Sequence, residues 1–111
     1  MSKTYNLESA NELAGGDQEF IAILVQTFLE EIPPDLQGMA DAVENNNPQT
    51  AYQFAHKMKP NLQLFGIDLL KEIKQVEAWS KSGKSRDEVQ VILDRIVKAV
   101  NEAIVDLKKD F

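Results

Sequence analysis

Apolar residues along the chain recur at spacings of three and four, and the runs that carry them are separated by glycine, proline and asparagine. Asn6 is placed to cap a short first helix that stops at Gly15-Gly16, glycine being the usual residue just past a helix end. Asp17 caps a second helix bearing Phe20, Ile21, Leu24, Val25, Phe28 and Ile32. Pro33-Pro34 interrupts it, and the pattern resumes over 35–45 with Leu36, Met39, Ala40 and Val43, as a kinked long helix or two abutting ones.

Asn47 and Pro48 open a third segment, with proline at the first helical position, where its missing donor costs nothing. This segment runs over 48–65 and stops at Gly66. Asp68 is expected to cap a fourth helix carrying Leu69, Leu70, Ile73, Val76 and Trp79 and ending near Gly83. Ser85 and Glu88 form a capping box for the last helix. That helix has the cleanest stripe: Val89, Ile92, Leu93, Ile96, Val100, Ala103, Ile104 and Leu107. Periodic segments, short connections and no strand-like alternation predict an all-α, antiparallel helix bundle in a single domain, 1–111.

Composition narrows the function classes. The chain has 111 residues, 43% hydrophobic and 27% charged, enough apolar material for one core. Its net charge of −6 argues against nucleic acid as the main partner, because phosphate backbones need a basic face. It also favours a monomer, since an acidic surface keeps copies apart. The absence of cysteine removes disulfides, thiolate metal sites and cysteine nucleophiles. No apolar run approaches the roughly 20 residues of a membrane helix, and "MSKTYNLESANE" lacks a signal-peptide core. A cytoplasmic protein with no membrane partner is expected.

The single histidine lies in "AHKMKPNLQLFG", 55–66. On a helical projection Ala51, Phe54, Ala55, Met58, Leu62 and Phe65 share an arc of roughly 100°, the width of a core-facing stripe. Gln49, Tyr52, His56, Lys59, Pro60 and Gln63 fall on the opposite, solvent face, with Lys59 one turn beyond His56. Lys57 lies partly off that face. A lone histidine on a polar face is ordinarily a plain surface residue. Metal binding is weaker: Gln53 stands three residues before His56 where a di-iron bundle has glutamate. Pro60 is harder to dismiss, because it deprives the His56 carbonyl of its helical donor at a cost of about 3 kcal/mol relative to alanine.

The stretch resembles the signature of histidine-containing phosphotransfer (HPt) domains, approximately Ala-His-x-Leu-Lys-Gly-Ser-x-x-x-Leu-Gly. Ala55, His56, Met58, Lys59, Phe65 and Gly66 match in register, and the order of segments along the whole chain fits the family. The resemblance implies a four-helix bundle with a short additional N-terminal helix. It implies that His56 accepts a phosphoryl group from a receiver-domain aspartate and passes it to another receiver, with Lys59 offsetting phosphoryl charge. Gln49, Tyr52, Pro60 and Gln63 are then the nearest docking residues, with Phe20, Ile21 and Ile23 as possible apolar additions. Implied partners are receiver domains of hybrid histidine kinases and response regulators. No cofactor or metal is implied here, magnesium belonging to the receiver. The chain has no room for an ATP-binding kinase domain, so a free-standing carrier is expected, an excised fragment being the alternative.

Two departures stand out: Pro60 replaces the usual glycine, and Asn61 the usual serine or alanine. Neither removes the reactive group. The competing reading is a non-catalytic adaptor bundle that docks partners without carrying phosphate. A ligand- or metal-binding bundle would need inward-facing polar groups that the apolar stripes do not offer.

Overall fold

The computed structural model describes residues 4–111. It is all-helical, with no strand among those residues and 81% of them in helix. The elements are α1 (Glu8–Ala14), α2 (Gln18–Glu44), α3 (Pro48–Leu64), α4 (Leu70–Glu77), α5 (Trp79–Ser82) and α6 (Arg86–Asp110). The molecule measures 44 × 23 × 22 Å. Its long dimension is that of its longest helices, since the 27 residues of α2 span about 40 Å at 1.5 Å each.

Side chains close most helix ends as their residue types dictate. Asp17 accepts hydrogen bonds from the Glu19 and Phe20 amides, and Asn47 accepts one from Thr50. Ser85 and Glu88 form the reciprocal capping box on α6. Gly15 and Gly83 end α1 and α5 in the left-handed region, at φ of 61° and 73°. Two expected caps are corrected. The α1 N-cap is Leu7, and Asn6 accepts from the Glu8 amide just outside the helix. The α4 N-cap is Leu69, and Asp68 makes no cap bond.

The prolines do less than their residue type predicts. α2 continues through Pro33-Pro34 as one helix, and α3 continues through Pro60. All three proline rings lie on exposed faces. The fourth segment behaves the other way. Expected as one helix, it breaks at Ala78 into α4 and α5, and the Trp79 indole N–H donates to the Lys84 carbonyl at 3.0 Å. That bond ties the buried indole to the turn that follows α5.

The apolar stripes meet in one core. α2 packs on α3 and α6, and α4 packs on the same two helices. Phe28, Phe65, Ile21, Ile32, Met39, Met58, Ile73, Ile96 and Leu107 are all fully buried, each contributing about 1.5–3 kcal/mol through removal from water. Every stripe residue named on α6 is buried. Phe54 is only half-buried, but its ring lies over Gly38 of α2, where an added Cβ would sit 2.4 Å from the ring tip. Phe20 departs from the expected stripe, remaining 38% exposed.

Residues 4–7 cross one end of the core. The Asn6 amide donates to the Phe65 carbonyl at 2.7 Å, the Thr4 hydroxyl to Asp106 at 2.7 Å, and the Tyr5 hydroxyl to Asp110. Gly66, at φ 64°, leaves no room for a Cβ against Asn6. Burial first, then the Asp110 hydrogen bond and the charges of Asp110 and Asp106, push the Tyr5 phenol up to about 12. No helix among the described residues is long and apolar enough to cross a membrane.

Candidate functional site

Helix α3 turns Ala51, Ala55, Met58 and Leu62 into the core, which forces His56 outward. The imidazole is 62% exposed. Its Nδ1 lies 3.0 Å from Oε2 of Glu77, the last residue of α4. Lys59, one turn along, donates to both oxygens of the same carboxylate at 3.0 and 3.1 Å. The Tyr52 ring, one turn the other way, lies nearly parallel to the imidazole at 5.7 Å between centroids and 6° between planes.

Glu77 is the residue that the sequence reading missed. Its carboxylate is only 12% exposed. Burial pushes its pKa up, but hydrogen bonds and charge from Lys59 and His56 outweigh that and hold it below the usual glutamate value. It is therefore ionised at neutral pH and can only accept, so the imidazole donates from Nδ1, an arrangement that in the neutral ring leaves the lone pair on Nε2. One signal was available in the sequence. Glu77 lies four residues after Ile73 and one after Val76, at the edge of the α4 stripe, where a carboxylate is half-withdrawn from water.

The second lysine goes elsewhere. Lys57 donates to Asp35 of α2 at 3.1 Å. Asp35 is 3% exposed, the one fully buried charged residue among those described, and its other oxygen has no partner. Asp35 lies three residues after Ile32 and four before Met39, a core position, so a buried carboxylate was legible there.

Of the expected docking residues, Gln49, Tyr52, Pro60 and Gln63 are all exposed on α3. Gln49 and Tyr52 line a groove of about 570 Å³ between α3 and the α4–α5 break. Pro60 and Gln63 lie on the other side of His56 along the helix and line no part of it. Of the apolar additions, one is corrected. Ile21 is buried in the core, while Phe20 and Ile23 are 38% and 57% exposed. The contacts Asp35–Lys57 and Phe28–Phe65 fix the antiparallel register of α2 and α3. In that register Ile23 is roughly 20 Å along the axis from the level of His56, at 1.5 Å per residue. Among the described residues no group of three His, Cys, Asp or Glu side chains is placed to hold a metal ion.

The chain matches no protein-family model, no curated protein and no solved structure.

Proposed function

We propose that the protein is a histidine phosphotransfer carrier of the HPt type, a cytoplasmic monomer that relays phosphoryl groups between receiver domains. The observation that carries this reading is the exposed imidazole whose Nδ1–H is held by Glu77, leaving Nε2 free toward solvent with Lys59 beside it. On this reading α2, α3, α4 with α5, and α6 form an antiparallel four-helix bundle that α1 covers at one end.

The transfer balances without a further reagent. Nε2 attacks the phosphorus of a receiver's aspartyl phosphate, an N–P bond forms, and the P–O bond breaks with its electron pair leaving on the aspartate carboxylate. Nδ1 keeps its proton, so the phosphorylated ring is cationic. The Glu77 carboxylate stabilises that ring through the bond it already makes. Lys59, shared between Glu77 and solvent, neutralises charge on the phosphoryl oxygens. A rigid helix supplies the positioning on which phosphoryl transfer depends. Magnesium acts on the receiver's side of the encounter, and this chain supplies only protein groups.

The test is transfer of radiolabelled phosphate from purified phosphorylated receiver domains, beside a His56→Gln control. Label on the wild type alone, stable to alkali and labile to acid, is the expected result. Receivers that bind the folded protein yet leave no label would replace the carrier with the adaptor.

A further inference from the structure

The groove beside His56 differs in charge from the rest of the molecule. Its rim carries Lys74 of α4 and Lys81 of α5, seven residues apart, one on each side of the Ala78 break. Both ammonium groups are exposed, and neither is in an ion pair or a side-chain hydrogen bond. The one carboxylate in the lining, Glu77, already accepts from Lys59 and His56. Two unpaired cations therefore face an open groove in a chain of net charge −6. Ser80 and Gln49 add neutral hydrogen-bonding groups, and Tyr52 supplies an aromatic wall.

Tyr52 makes this groove more than a surface feature. One side of its ring stacks on His56, and the same residue lines the groove. An occupant is thereby seated against the support of the reactive imidazole. We infer that this groove receives a carboxylate-bearing segment of the partner protein, held by Lys74 and Lys81, and that these lysines select the partner. The inference rests on the proposed carrier function, which supplies the partner, and on the charge of the groove, which a carboxylate complements. Opposite potentials steer encounter and fix register, so the lysines act on association more than on chemistry.

The test is transfer kinetics from a panel of phosphorylated receiver domains at low and high salt, together with amide shifts of the labelled protein on adding unphosphorylated receiver. The variants are K74E/K81E and, as a charge-matched control, K98E/K108E on exposed positions of α6. The expected result is about a tenfold rise in KM for K74E/K81E at low salt, with kcat unchanged and the difference shrinking as salt screens it. Amide shifts should centre on Tyr52, Lys74, Ser80 and Lys81, and the control should behave as wild type. Equal KM for wild type and K74E/K81E, with label still transferred, overturns the groove and leaves the carrier standing. Shifts in the groove without label transfer retain the groove and overturn the carrier. Absence of both across the panel overturns the two together.

Discussion

Two lysines two residues apart, on either side of one turn of α3, are drawn to opposite neighbours. Lys57 reaches Asp35 across the α2–α3 seam, and Lys59 reaches Glu77 across the α3–α4 seam. Both pairs join an ammonium to a withdrawn carboxylate at about the same distance, 3.1 and 3.0 Å. They differ in what else the carboxylate touches. Asp35 has one oxygen bonded to Lys57 and the other with no partner. Glu77 has both oxygens engaged, and one also holds an exposed imidazole. The first arrangement places a charge where an apolar residue would serve the core as well. The second orients an exposed imidazole. A salt bridge is read as functional or structural from the third group in contact, not from its own geometry.

The largest effect that separates the seams is expected from Glu77→Gln. Transfer to His56 should slow by about 100-fold, because an amide can turn its NH₂ toward Nδ1 and favour the wrong tautomer. Folding, followed by thermal melting, should change little. An unaltered rate would dissolve the distinction between the seams, since Glu77 would then be as silent catalytically as Asp35.

The lysines supply a crossed comparison. Lys59→Ala should slow transfer by about tenfold through lost neutralisation of the phosphoryl oxygens, with little loss of stability. Lys57→Ala should leave the rate within about twofold but destabilise by about 1–2 kcal/mol, by leaving Asp35 buried without a counter-charge. Urea unfolding and single-turnover transfer on the same two variants measure both axes. Because Lys57 itself is 62% exposed, part of its attraction is screened, and the loss stays below that of a fully buried pair. The double replacement D35L/K57M should recover wild-type stability or exceed it, as apolar substitutes for buried pairs commonly do.

The smallest effect lies in pH. Glu77 has a pKa in the folded protein below its value of 4.5 in a free chain, so the folded state favours its ionised form. Its contribution to stability is present above about pH 4.5 and is lost as pH falls through the lower, folded value. Glu77→Gln should therefore flatten the acid limb of the stability profile relative to wild type. At the far end of the molecule the sign reverses. Tyr5 is raised from 10 to about 12, so its contribution is complete below pH 10 and disappears as pH rises toward 12. Tyr5→Phe should remove that alkaline limb and leave the acid limb alone, as equilibrium unfolding across pH will show.

Much of the molecule was fixed by local pattern. The α6 stripe, the Asp17, Asn47 and Ser85 caps, the glycine ends of α1 and α5 and the outward side of α3 all follow from spacing and side-chain chemistry within a few residues. His56 was exposed on the projection and is exposed in the fold. The reading failed where the deciding partner was distant or the backbone had alternatives. Helix α2 runs through two prolines because its apolar residues on both sides, Phe28 and Ile32 before them and Leu36 and Met39 after, share one buried face. The helix expected over 69–83 breaks at Ala78, a residue with no breaking tendency of its own.

The candidate site divides along the same line. Sequence alone determined that one imidazole and a lysine share the outer face of a helix, because 3.6 residues per turn leaves no other place for them once the apolar residues turn inward. Only the tertiary structure decided that Glu77, 21 and 18 residues away in the chain, meets both of them, and that Lys57 turns to α2 instead. Helical period is set by the backbone and can be counted along a sequence. The side chain that crosses from a neighbouring helix depends on packing register, which emerges only when the stripes of several helices are buried together.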